Sequence, residues 1–199
     1  MTPAKGSVSD AKSREKTGHG LDHWFAVLDR FGAVERGHSA SARHLFDAHN
    51  VDGWYAQGIT VAYERARGVR AVNQRGDGEF EVSVSKVITA DTATLIKAFT
   101  DPRRRRQWIG GADRALAKAL STAVADKASK GFVVRPDGQA RFRYKWDGTT
   151  VQFYLLPKAG EKVSLVVQHT KLAGARAVDE RRAQWKEAFG ALAAYMARR

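Results

Sequence analysis

The chain contains no cysteine, which excludes disulfides, thiolate catalysis and cysteine-ligated metal sites. No stretch approaches the roughly 18 consecutive apolar residues that a membrane-crossing helix needs. The first 16 residues mix Ala, Lys, Ser, Asp and Glu without an apolar core, which is not the pattern of a secretory signal. The expectation from these absences is a cytoplasmic protein that begins with a disordered tail over residues 1–16. Also missing are a nucleophile elbow, a glycine-rich phosphate loop and a pair of inward-facing carboxylates. No catalytic residue and no cofactor is expected on those grounds, and the reading leans away from an enzyme. Internal repeats and low-complexity tracts are absent as well.

What the chain has in excess is positive charge. Lys and Arg number 34 against 21 Asp and Glu, a formal net charge of +13. Residues 1–75 account for +3 of this and residues 76–199 for +10. Such a surplus favours anionic partners, whether acidic protein, nucleic acid or an anionic lipid surface, and equally serves solubility with nothing bound. A length of 199 residues allows one large domain or two small ones.

From residue 17 to 67 the pattern is helical. Trp24, Phe25, Leu28 and Phe31 share one face closed by Gly32, Ser39 could cap a second helix, and Asp52 a third that ends before Gly68. Residues 17–68 are therefore expected as a small three-helix domain, followed by a linker over residues 69–79 with Gly, Asn and Asp turn chemistry. From Phe80 the period switches to two. A first strand leads to a helix carrying Leu95, Ile96 and Phe99, which Asp101-Pro102 closes. Residues 112–130 hold Leu116, Leu120 and Val124 at helical spacing, and a short strand near residues 132–135 meets a turn at Pro136-Asp137-Gly138.

Residues 141–146 alternate basic and aromatic side chains without a break, so a strand here has a cationic face and an aromatic face. Asp147-Gly148 is the dipeptide that a type I′ hairpin prefers. Pairing across it sets Trp146 opposite Thr149, Tyr144 opposite Val151 and Phe142 opposite Phe153. A further strand places Val163, Leu165, Val167 and His169 on one face. The last and longest helix, residues 175–197, carries Val178, Trp185, Phe189, Leu192 and Met196 in a stripe with Arg182 interposed. That stripe is the natural partner of the aromatic strand face.

The order of elements resembles the START-like, or SRPBCC, superfamily: a strand, a helix ending Phe99-Thr100-Asp101-Pro102, Trp108, a meander and a long terminal helix. Within it the chain is most similar to the branch named after the activator of the heat-shock protein 90 ATPase. The stretch Val166-Val167-Gln168-His169-Thr170-Lys171-Leu172 before a helix bearing Trp185 is typical of that branch. The resemblance covers residues 80–197, and residues 17–68 look like an uncharacterised bacterial helical domain that precedes such modules. It implies an α+β, helix-grip fold over residues 80–199, with a curved antiparallel sheet wrapped on the terminal helix. It also implies a cavity between sheet and helix for a small apolar or amphipathic ligand. Trp108, Phe142, Tyr144, Trp146, His169, Arg182, Trp185 and Phe189 would line it, although aromatic stripes at these spacings equally make an ordinary core. Family members run from the Trp region into several strands, where residues 112–130 here read as a helix, so that helix could act as a lid or fill the pocket.

Three other readings stand beside this one. Arg103, Arg104, Arg105 and Arg106, with Arg141, Arg143 and Lys145, could form a surface for an acidic protein such as a chaperone ATPase. Nucleic acid is the less favoured occupant, because the aromatics point inward and make no stacking platform. A hydrolase or cyclase of the START-like kind would have His169 as its best acid or base. His19 and His23 are one helical turn apart, but the HExxH arrangement is absent and no metal is expected.

Overall fold

The computed structural model describes residues 7–75, 77–109, 113–126 and 131–198. The chain divides into two compact units, Met1–Gly78 and Glu79–Arg199.

The first unit contains α1 (Asp10–Thr17), α2 (Leu21–Phe31), α3 (Ala33–His49) and α4 (Gly53–Ala66). Four helices stand where the pattern suggests three, and residues 10–16, expected in a tail, belong to α1. Residues 1–6 of that expected tail lie outside the described residues. Helix α1 carries no apolar stripe for periodicity to detect. It is fixed by polar contacts: Ser9 caps it, Ser13 Oγ donates to the His19 carbonyl at 2.9 Å, and Asp10 Oδ1 accepts from the Leu21 amide at 2.7 Å. Val8 docks the segment onto α4, its backbone against Gly58, where an added Cβ would press on Val8 at 3.4 Å. Ser39 is interior to α3 and caps nothing. Gly37, at φ 79° and ψ 174°, supplies the break between two helical segments instead. Asp52 caps α4 by accepting from the Trp54 amide at 3.0 Å. A polar cluster around the buried Glu64 joins α3 to α4: both ring nitrogens of His38 meet oxygens, Glu64 Oε1 at 3.0 Å and Gln57 Oε1 at 2.6 Å, and Arg70 pairs with Glu64 at 2.8 Å. The Glu64 carboxylate holds His38 above the ordinary histidine value.

The second unit runs β1 (Phe80–Thr89), α5 (Thr92–Thr100), α6 (Pro102–Ile109), α7 (Arg114–Ala125), β2 (Val133–Val134), β3 (Ala140–Trp146), β4 (Thr149–Lys158), β5 (Lys162–Leu172) and α8 (Ala175–Ala197). The strands form one antiparallel sheet in the order β1-β5-β4-β3-β2, and α8 packs on β1, β5 and α6. This is an α+β fold in a helix-grip arrangement, one antiparallel sheet packed on a long C-terminal helix. The β3–β4 register pairs Trp146 with Thr149, Tyr144 with Val151 and Phe142 with Phe153. Asp147 and Gly148 both have positive φ, 47° and 77°, as a type I′ turn requires. Burial alternates along β3, with Phe142, Tyr144 and Trp146 inward and Arg141, Arg143 and Lys145 outward. The core lies between the inner sheet face and the helices. Burying each large apolar side chain of α8, such as Trp185, Phe189 and Leu192, contributes about 1.5–3 kcal/mol.

The helix expected over residues 112–130 is α7, described from Arg114 to Ala125; residues 112 and 127–130 lie outside the described residues. Asp113 caps it, accepting from the Leu116 amide at 2.9 Å with one oxygen and from Gln184 of α8 with the other. Leu116 and Leu120 are fully buried, so α7 covers the inner face beside β3.

Arg105 overturns part of the expected cationic surface. It is 7% exposed, whereas Arg103 and Arg106 are exposed and Arg104 half-buried. Its Nη1 donates to the Phe99 carbonyl at 2.7 Å and the Thr100 carbonyl at 3.3 Å, and its Nε to Ser121 Oγ at 3.2 Å. The guanidinium thus satisfies the open carbonyl end of α5 and ties α5, α6 and α7 together. Four consecutive positions on a helix point around most of its circumference, so one member of such a run must turn inward. Arg105→Leu leaves two carbonyls without their donor and is expected to cost about 1–3 kcal/mol, whereas Arg103→Leu should stay within about 0.5 kcal/mol. Chemical denaturation of the two variants checks this, and equal losses would remove the capping role.

Candidate functional site

Seven of the eight residues expected to line a cavity between sheet and α8 are buried: Trp108, Phe142, Tyr144, Trp146, His169, Trp185 and Phe189. They pack against one another and their neighbours. Phe153 meets Trp185 edge-on at 5.4 Å, Trp146 meets Trp185 at 6.4 Å, and Phe142 stacks on Tyr144 at 5.4 Å. Trp108 packs on Phe99 at 5.3 Å and donates its indole N–H to the Ala98 carbonyl at 2.9 Å.

Arg182 is the eighth, and it does not join them. It is partly exposed and pairs with Asp179 of its own helix at 2.8 Å. The neighbouring Arg181 takes the place expected of it, with its guanidinium 4.1 Å over the Trp146 ring and Nη1 donating to Gln184. Both positions flank the stripe set by Val178 and Trp185, so helical phase alone does not separate them.

His169 is fully buried with both nitrogens engaged. The Trp185 indole donates to Nδ1 at 3.1 Å, which leaves the proton on Nε2, 2.7 Å from Thr149 Oγ1; that hydroxyl in turn donates to the Trp146 carbonyl. The chain Trp185–His169–Thr149–Trp146 runs in one donor direction and links α8, β5, β4 and β3. Burial, with the Arg181 charge adding to it, holds the imidazole down at about 4. A satisfied neutral imidazole with no free nitrogen is a structural element, not a poised acid or base.

Open space lies elsewhere. A groove of about 570 Å³ runs between α7 and β3. One helical stripe forms its far wall: Ala115, Lys118, Ala119, Thr122, Ala123 and Asp126. The near wall is five consecutive residues, Arg143 to Asp147. Side chains of a strand alternate between faces, so consecutive residues can line one groove only along the strand's edge. Tyr144 is 6% exposed, and its hydroxyl has no partner among the described residues. Burial pushes its phenol well above the ordinary tyrosine value. Lys118, Arg143 and Lys145 supply cations at the rim, Lys145 also donating to Thr150 Oγ1 at 2.8 Å; Asp126 and Asp147 lie at the ends. The sequence carries a trace of this site, since three alanines four residues apart flank the leucine stripe of α7. Nothing in it shows that the stripe faces a strand edge.

Of the expected anionic-partner surface, Arg141, Arg143 and Lys145 share the exposed outer face of β3, while Arg105 is withdrawn into the α5–α7 junction. In the first unit the His19 and His23 rings stack at 3.9 Å. Among the described residues no group of three or more His, Asp or Glu is placed to hold a metal ion, and no helix is long and apolar enough to cross a membrane.

No family model matches the chain, and no curated protein matches it. Solved structures with a similar fold do. CalU16 from Micromonospora echinospora is 14% identical, with 59% of this chain and 76% of that one covered at a TM-score of 0.38. An AHSA1-like protein from Rhizobium etli is 17% identical, with 58% and 80% covered at 0.39. A START superfamily protein from Mycobacterium smegmatis is 14% identical, with 59% and 97% covered at 0.33. The fold assignment rests on this chain's own strand order and helix placement.

The neutral His169 makes the stability of the second unit pH-dependent. Its folded value lies below the unfolded one of about 6.5, so its contribution is complete above pH 6.5 and is lost as pH falls toward 4. The loss should reach about 3 kcal/mol near pH 4. Hydrogen exchange of β5 amides as a function of pH reads this. His169→Leu should flatten the profile over that interval, and an unchanged slope would assign it to other groups.

Proposed function

We propose that residues 79–199 form a non-catalytic binding module whose seat is the groove between α7 and β3, taking an amphipathic anion. The observation that carries this reading is the groove itself, an unfilled space of about 570 Å³ in a unit whose sheet–α8 interior is occupied by aromatics. Its volume falls within the roughly 300–1,000 Å³ of small-molecule sites. The alanine wall and the edges of the Tyr144 and Trp146 rings offer apolar contact. Lys118, Arg143 and Lys145 offer charge to an anionic end, and the Tyr144 hydroxyl is a buried polar group with no partner among the described residues. An acyl-transfer or cyclase chemistry through His169 is disfavoured by the engagement of both its nitrogens.

An anilinonaphthalene sulfonate dye, an apolar ring system with one anionic group, is a direct probe. Saturable one-to-one binding to the full chain is expected, at least tenfold weaker in Ala119→Trp, which fills the groove, and several-fold weaker in Lys118→Glu. Binding unchanged by Ala119→Trp would place the dye elsewhere and remove the groove as the seat.

A further inference from the structure

We infer that the groove's natural occupant is an extended acidic peptide that adds to the sheet as a strand along the free edge of β3. This rests on the groove being the binding seat and goes further by naming what fills it.

Backbone geometry makes the case. Trp146 and Thr149 flank a two-residue turn and are a hydrogen-bonded pair, so Tyr144 likewise directs its N–H and C=O toward β4. Arg143 and Lys145, the alternate residues, direct theirs away from β4. Among the described residues strand β2 serves Arg141 through Val133, and Gly131, two residues earlier in the chain, has a positive φ of 58°. Among the described residues no backbone hydrogen bond reaches Arg143 or Lys145 from the side away from β4. A hydrocarbon ligand would leave these amides and carbonyls unmatched; a strand matches them. The dimensions agree as well: five residues of strand span about 17 Å and the twelve residues of α7 about 18 Å.

Side chains select the sequence of the occupant. An added strand alternates its residues between α7 and the outer face. Toward α7 it meets Ala115, Ala119 and the Tyr144 ring, which suit a small apolar residue. Toward the outer face it meets Arg143 and Lys145 as cross-strand neighbours, which suit carboxylates. The same two cations repel a second copy of this edge, so self-pairing is disfavoured and an acidic strand favoured. The predicted pattern is an alternation of apolar and acidic residues.

The test uses the full chain and fluorescein-labelled Val-Glu-Val-Glu-Val-Glu, read by polarisation. Binding should be saturable, at least tenfold weaker in Arg143→Glu with Lys145→Glu, and lost in Ala119→Trp. Two isomers N-methylated on alternate amides separate strand addition from charge, since odd and even amides lie on opposite edges of the peptide. One isomer should lose binding and the other keep it. Equal binding by both isomers, or displacement by hexaglutamate or a single-stranded oligonucleotide as efficient as by unlabelled peptide, would overturn strand addition. Amide exchange at Arg143 and Lys145 should slow on binding; unchanged exchange also overturns it. Dye binding with no peptide binding removes this inference and leaves the amphipathic-anion reading, whereas loss of both removes both.

Discussion

The inner face of a five-stranded sheet spans about 20 Å across its strands, while a single helix with its side chains covers about 10–12 Å. Keeping that face dry is the constraint on which the second unit depends. Helix α8 covers the β1 and β5 side, α5 reaches β4 in the middle, and α7 closes the β3 side with Leu116 and Leu120. Among the described residues the chain places a helix, α7, beside β3. A helix supplies apolar side chains to the face but no backbone groups to the sheet. The inner face is therefore dry while, among the described residues, no backbone group pairs with β3 beyond Arg141 on that side, and the groove lies beside that edge.

Polar groups in this core are few and directed. The Arg105 guanidinium closes the carbonyl end of α5, the Trp108 indole bonds the Ala98 carbonyl, and His169 passes one hydrogen bond from α8 to the β3–β4 turn. Each contact joins elements distant in sequence and leaves little freedom in how they meet, because a displaced partner would leave a buried polar atom unsatisfied. The Tyr144 hydroxyl is the exception among the candidate residues. It has no partner among the described residues, and Tyr144 is one of the residues that line the groove.

Much of the fold is legible in the residues because its signals are local. The basic–aromatic alternation and Asp147-Gly148 set the β3–β4 register, and the period of Val163, Leu165, Val167 and His169 sets the face of β5. Acidic caps at Asp52, Asp91 and Asp113 mark helix starts, and Asp52 is legible from the helical pattern that follows it. What escapes the sequence depends on contacts between distant segments. Helix α1 has no apolar period and is held by polar bonds to the turn after it. Arg105 is indistinguishable from its three neighbours until the open end of α5 is in place. Arg181 and Arg182 straddle the helical stripe equally, and only Trp146 selects between them. The aromatics of β3, β5 and α8 pack on one another, and the groove beside α7 follows from which elements meet there, which periodicity does not report.

An open strand edge is ordinarily an aggregation liability, and proteins blunt it with charge or by keeping it short. Both devices are present here: the unpaired stretch is brief, and its outward residues are Arg143 and Lys145. Like charges prevent two copies from joining edge to edge, yet the same charges do nothing to exclude an acidic strand. Protection against self and readiness for an anionic partner thus come from the same two side chains. The basic surplus of residues 76–199 acts in the same sense at longer range, drawing acidic segments toward a surface on which one edge can pair with them.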